Sequence, residues 1–357
     1  MTPVEQILRA QIKRFGPISV AEYMNLCLLH PDHGYYMQGK PIGRAGDFIT
    51  APEISQMFGE LLGLALAQSW LDQGAPVRFA LVELGPGRGT LMADMLRATA
   101  GVPGFLAAAE IWLVEASPAL VKVQAAALAG HKANWVASVS DLPDLPIYLI
   151  ANEFFDALPI RQFQRTGQGW QERMIGLDGD KLVFGLAAPL PVPPTDDLAE
   201  SAKPGQMVEV NKAAEALIGE IGHRIEGFGG TAMVIDYGEF GNTGDSFQAV
   251  RNHEKQHPLA NPGQADLTAH VDFAALAKAA GNVAATPLTP QGELLHRLGI
   301  GVRAETLAAG MVGEPLQQHL AAYHRLTSSE EMGSLFKAIA FHRHGTAPPP
   351  GFSQNDT

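Results

Sequence analysis

The sequence predicts an α/β fold built on a mostly parallel sheet, and three features of its 357 residues carry that reading. Residues 78–84 and 147–151 are almost continuously apolar, as strands covered on both faces must be. The first of these runs ends in a glycine-rich turn and the second in a polar cluster, and 91–96 then returns to helical spacing. With 46% hydrophobic residues, the chain can also bury a large core.

In chain order, residues 1–45 read as an N-terminal helical extension, with Ile7, Leu8 and Ile12 on one helical face and Arg9, Lys13 and Arg14 opposite. Residues 46–156 read as the first part of the core, with strands at 78–84, 111–114, 134–137 and 147–151. Within 157–210, polar and apolar residues alternate around Gly and Asp-Gly turns, which predicts an inserted antiparallel β unit that stops at Pro189, Pro191, Pro193 and Pro194. Residues 211–346 complete the core through an amphipathic helix at 211–228 and a fifth strand at 231–237. A Gly- and Asn-rich loop at 238–265 follows, of a length that suggests a functional lid. Helices are predicted at 266–281, 292–298 and 315–326 before a terminal strand at 336–341, and the Pro-rich tail 347–357 reads as disordered.

The turn after the first core strand is Glu83-Leu84-Gly85-Pro86-Gly87-Arg88-Gly89-Thr90. Glycines at alternate positions let the backbone turn sharply and admit a ligand against the main chain. A dinucleotide fingerprint wants its third glycine where Thr90 stands, and a phosphate-cradling loop wants a lysine that is absent, so a phosphate ligand is disfavoured. An acidic residue two before the first glycine, followed by Gly-x-Gly-x-Gly, is similar to motif I of class I S-adenosylmethionine-dependent methyltransferases, whose cofactor carries a sulfonium that Glu83 suits. An ordinary strand-to-helix turn is the plain alternative.

Glu115, at the tip of the second strand, can accept from both ribose hydroxyls of a nucleoside without selecting its kind. Asp141 can accept an adenine amino group while Leu142 packs on the ring, or Asp141 is a turn residue. The fourth strand runs into Asn152-Glu153-Phe154-Phe155-Asp156. Ligands of open α/β sheets lie beyond the carboxyl ends of the strands, so Asn152, Glu153 and Asp156 become candidates for orienting an acceptor nitrogen and removing its proton. Asn152 and Asp156 can equally cap the next turn.

The run from Gly46 to Glu60, Gly-Asp-Phe-Ile-Thr-Ala-Pro-Glu-Ile-Ser-Gln-Met-Phe-Gly-Glu, resembles the signature of the MidA family of class I methyltransferases, which includes a mitochondrial complex I assembly factor with protein-arginine methyltransferase activity. His30-Pro31, Gly34-Tyr35-Tyr36, the Asn152 to Pro159 stretch, Val234-Ile235-Asp236-Tyr237-Gly238, the Asp266 to Phe273 stretch and the Phe336 to Phe341 stretch match as well, so the resemblance covers almost the whole chain. It implies a Rossmann-like methyltransferase sheet, mostly parallel with an antiparallel terminal strand, S-adenosyl-L-methionine as cofactor, and an arginine of a complex I subunit as acceptor, symmetrically dimethylated. It also implies that Asp47, Thr50 and Glu53 approach the methionine end of the cofactor, although Pro52 and Glu53 also suit the first turn of a plain helix. The cofactor set is then Asp47, Thr50, Glu53, Glu83, Gly85, Gly87, Gly89, Glu115, Asp141 and Leu142.

A net charge of −12 disfavours nucleic acid and favours a basic protein partner. The single cysteine, Cys27, excludes an internal disulfide and fits a reducing compartment. No stretch is apolar enough for stable membrane insertion, and Glu5 with an early family match argues against a targeting peptide, so a cytoplasmic protein, with a homodimer as an open possibility, is expected. His253-Glu254-Lys255-Gln256-His257 matches a zinc-protease pattern by letter, but it lacks apolar flanks and is stopped by Pro258, so no metal is expected. Arg251, His253 and His270 are candidates for touching substrate. A nicotinamide-linked oxidoreductase and a non-catalytic assembly factor are the rival readings.

Overall fold

A computed structural model describes residues 1–38, 49–194, 203–241 and 244–354. Its core is a sheet of six main strands: β1 (Phe79–Leu84), β2 (Ala109–Val114), β3 (Ala133–Val136), β4 (Ile147–Asn152), β5 (Gly230–Glu239) and β6 (Phe336–His342). Their order is β6-β5-β4-β1-β2-β3, with short strands at Ala284–Ala285 and Thr289–Pro290 pairing with β6. All neighbouring pairs are parallel except β5–β6, where Met233 faces Ala340 in antiparallel register. The predicted α/β class, mostly parallel sheet and antiparallel terminal strand are thus all present.

Period-two alternation explains why this sheet is buried on both faces. Phe79, Leu81, Tyr148, Ile150, Met233 and Ile235 point into one core. Against that face pack α1 (Gln56–Asp72) and α2 (Thr90–Thr99). The intervening residues Ala80, Val82, Ile147, Leu149, Ala232 and Val234 point into the other, under α3 (Lys212–Phe228) and α4 (Phe273–Ala279). A slip of one residue in any of these strands would exchange its two faces.

A second sheet joins Ile18–Ser19, Arg161–Thr166, Gly169–Asp178, Lys181–Pro189 and Met207–Val210, all antiparallel. The N-terminal helices Pro3–Phe15 and Val20–Leu29 share a third core with it through Leu8, Met24, Cys27, Ile160 and Ile175. The extension is therefore packed on the inserted unit.

Three expectations change. The stretch 238–265 is not a plain loop: Gln248–Arg251 and Glu254–Gln256 form a hairpin that also pairs with Asp266–Thr268. Residues 266–272 are consequently extended, and the predicted helix starts only at Phe273, where Asp272 caps it by accepting from the N–H groups of Ala274 and Ala275. The hairpin also places His253 in a left-handed turn at φ 63°, so the His-Glu-x-x-His letters never share a helix face. Finally, the tail packs up to Phe352, which is 9% exposed in the first core, while Arg297 donates to the Gly351 carbonyl at 3.1 Å. Its many prolines remove backbone donors without preventing one aromatic ring from docking.

Candidate functional site

A cavity of about 280 Å³ opens at the carboxyl ends of β1, β2 and β4. Parallel register brings these tips together: Leu84 pairs with both Val114 and Ala151, so the next residues on each strand reach the same level. Gly85, Gly87 and Glu115, and across the cavity Asn152, Glu153 and Asp156, all line it.

The glycine loop is held in the left-handed region, with φ 57° at Gly85, 53° at Gly87 and 82° at Gly89. At Gly85 a Cβ atom would stand 2.6 Å from the Phe154 ring, so the bare backbone is what lets the β4 loop lie against the β1 loop. Gly89 is different. It begins α2, it is packed towards Gln124 and Ala127, and it does not line the cavity. The structure places it in the turn rather than on the cavity wall.

Glu115 is oriented from two sides, because its Oε1 accepts from the Ser117 N–H at 2.8 Å and its Oε2 from Gln124 Nε2 at 2.9 Å. The same Gln124 amide donates to the Gly87 carbonyl at 2.9 Å, while its oxygen accepts from Trp135 Nε1 at 2.9 Å. One glutamine therefore ties the tip of β2 to the glycine loop and to β3. Burial raises the Glu115 pKa.

Glu83 is 3% exposed, and its Oε2 has no hydrogen-bond partner among the described residues. Burial pushes its pKa up to about 8, against a hydrogen bond from the Met92 backbone. A buried carboxylate oxygen left without a donor costs free energy until a cation or donor arrives. Together with the left-handed glycines and the oriented Glu115, it fits a group with a ribose and a positive charge. Thr50 and Glu53 also line the cavity, and Thr90 Oγ1 donates to Glu53 Oε1. Asp47 lies outside the described residues.

Glu153 stands in the left-handed region at φ 52°, a strain of about 1 kcal/mol or more for a non-glycine residue. Its N–H is bonded to the Ile235 carbonyl at 2.9 Å, and its Oε1 accepts from the Ala51 N–H at 2.8 Å and from Asn152 Nδ2 at 3.0 Å. Burial raises its pKa to about 7. Asp156, 7% exposed, is pushed well above the ordinary carboxyl range by burial and by the nearby charges of Asp236, Asp266 and Glu153.

Two predicted contacts are not brought to the cavity. Asp141 ends a short 3-10 turn and faces solvent, whereas Leu142 is buried in the second core beneath α3. Ala137 lines the cavity instead, because the chain turns away before Asp141 is reached. His270 packs edge-on against Tyr237 outside the cavity wall. Conversely, Gln124, Phe154, Tyr36 and Asp266 belong to the site or its support and were not singled out as site residues. Tyr36 and Asp266 both lie in segments that match the family, but their pairing, in which Tyr36 donates to Asp266 Oδ1 at 2.7 Å, carries no local signal because the two are 230 positions apart.

Residues 61–291 match the model of the family Methyltransf_28, described as S-adenosyl-L-methionine-dependent methyltransferase. The chain is 38% identical to the human protein arginine methyltransferase NDUFAF7, mitochondrial, over 96% of its own length and 84% of that protein. It is 37% identical to the Xenopus tropicalis protein of the same name, over 96% of its own length and 88% of that one. A Burkholderia thailandensis protein solved bound to S-adenosyl-homocysteine superposes with a TM-score of 0.82 at 27% identity, covering 98% of this chain and 93% of that one. The relatives' names overturn the cytoplasmic expectation and point to mitochondria. A lone cysteine fits any reducing compartment, so it could not separate the two.

Proposed function

The chain belongs to the Methyltransf_28 family of S-adenosyl-L-methionine-dependent methyltransferases, and from that premise we propose that its acceptor is an arginine side chain of a respiratory complex I subunit. It is an enzyme with S-adenosyl-L-methionine as its cofactor. The observation that carries the acceptor proposal is the pair Glu153 and Asp156, a half-buried and a buried carboxyl group that line the same cavity as the glycine loop. The names of the curated relatives support the same acceptor chemistry.

Gly85, Gly87, Glu83 and Glu115 would hold the cofactor, with Thr50 and Glu53 as further contacts on the same cavity. When bound, it supplies an electrophilic methyl carbon. The protein's part is to align a nitrogen lone pair with that carbon, exclude water and accept a proton. Asp156 orients the guanidinium by accepting from its N–H groups. Glu153, with a pKa of about 7, takes the proton that the nitrogen loses. Asn152 keeps Glu153 in place through its Nδ2 bond.

Mass spectrometry of complex I subunits from cells with and without the protein tests the acceptor. The expected result is an arginine whose methylation disappears with the enzyme. Equal arginine methylation in both cell lines would overturn the assignment.

A further inference from the structure

We infer that Asp266 is a specificity residue of the acceptor site, joining Asp156 and Glu153 around a guanidinium and held in position by Tyr36. The inference rests on the arginine reading above and adds to it a strand that comes from outside the methyltransferase core.

Asp266 opens the short strand Asp266–Thr268, whose register is set by the hairpin strand Gln248–Arg251: Val250 pairs with Asp266 and Gln248 with Thr268. Just beyond the strand, the Ala269 N–H donates to the Asp156 carbonyl at 2.9 Å. That bond fixes the incoming strand beside the turn that carries Asp156. Tyr237 at the end of β5 donates to Thr268 Oγ1 and accepts from Gln248 Nε2 at 3.1 Å, which ties the hairpin to the sheet. Tyr36, Asp156, Asp266 and Thr268 consequently share one wall of the cavity.

Three carboxyl groups brought this close repel one another, and removal from water makes the repulsion stronger. Asp236 stands behind them, and Arg325 contributes a partly compensating charge at Glu153. Among the described residues no set of three His, Cys, Asp or Glu side chains has the arrangement of a metal site.

Asn152 supplies an independent pointer. The residue is 9% exposed, its Nδ2 is committed to Glu153, and its Oδ1 has no partner among the described residues although the side chain lines the cavity. The wall therefore offers acceptors in several directions at once. A guanidinium, with five N–H donors in a plane, can use such a wall more fully than an ammonium with three.

The test uses two short peptides differing only in a central arginine or lysine, with the full-length enzyme and its Asp266→Asn and Tyr36→Phe variants. Asp266→Asn keeps the shape and an acceptor for Tyr36 but removes the charge. The expected result is a KM for the arginine peptide raised about tenfold or more, as loss of a charge-assisted bond implies, with kcat changed far less. Calorimetric affinity for S-adenosylhomocysteine should stay at the wild-type value, and the preference for arginine over lysine should shrink. Tyr36→Phe, which leaves the carboxylate but removes the Tyr36 hydrogen bond to it, should raise KM in the same direction by less. Wild-type preference for the arginine peptide that Asp266→Asn leaves intact would overturn this inference alone, as would a variant that loses S-adenosylhomocysteine affinity with KM unchanged. Wild-type preference for lysine would overturn the arginine reading and this inference together.

Discussion

The carboxylate of Asp236 accepts the backbone N–H of Phe155 at 2.9 Å, across the gap between the end of β5 and the loop that leaves β4. The same Oδ2 accepts from the N–H groups of Phe154 at 3.1 Å and Asp156 at 3.2 Å, while Oδ1 accepts from Tyr237 N–H at 2.9 Å. Asp236 is fully buried, and it does not line the cavity. It shapes the loop that carries Glu153 and Asp156 from behind, as a fixed acceptor for three consecutive amides.

Replacing it tests that role. Asp236→Ala leaves those amides buried without an acceptor, and we expect a loss of about 3 kcal/mol or more in unfolding free energy, together with a fall in kcat. Asp236→Asn keeps one acceptor oxygen and should lose less on both counts. Urea unfolding and steady-state kinetics on the two variants measure the difference.

Gln124 predicts a cofactor effect without direct reaction chemistry. Gln124→Leu removes the bonds to Glu115 and the Gly87 carbonyl and leaves Trp135 Nε1 without its acceptor. Affinity for S-adenosylhomocysteine should fall about tenfold, the value of one or two lost bonds to a charged group. Calorimetry reads this directly, and saturating cofactor should restore most of kcat.

At the glycine loop, Gly85→Ala drives a methyl group into the Phe154 ring, and Gly87→Val puts a branched residue at φ 53°. Left-handed backbone costs an ordinary residue about 1–2 kcal/mol before any clash. Both variants should lose measurable cofactor binding while retaining the far-ultraviolet dichroism of the fold.

The pH dependence follows from Glu83 and Glu153, whose pKa values burial lifts from the ordinary 4.5 to about 8 and about 7. Because the folded protein holds these protons more tightly than the unfolded chain, their contribution to stability is full below about pH 4.5 and is lost as pH rises through 7 to 8. The ligand-free Tm should therefore decline between those limits. A cationic cofactor favours the ionised form of Glu83, so binding at pH 7 should release protons, seen as a dependence of calorimetric heat on the buffer's ionisation enthalpy. Proton acceptance by Glu153 requires its carboxylate, so kcat should rise with pH through about 7. Glu153→Gln should lower kcat and abolish that rise.

Local pattern determined the core of this protein. Apolar runs of strand length, the Glu83-to-Thr90 turn, Glu115 at one strand tip and Asn152-Glu153-Asp156 at another are all properties of short segments, and parallel register then carries them to one level of the sheet. Tertiary structure decided what depends on distant contacts. Asp141 and Leu142 are adjacent to the right strand, yet the chain turns before they reach the cavity. Gly89 has the right neighbours, yet it packs behind the loop. The stretch 266–272 has helical letters, but pairing with the hairpin at 248–256 holds it extended, because the bonds to a neighbouring strand outweigh a weak local preference. That pairing places Asp266 beside Asp156 and within reach of Tyr36, a meeting of residues from three remote segments that no periodicity encodes.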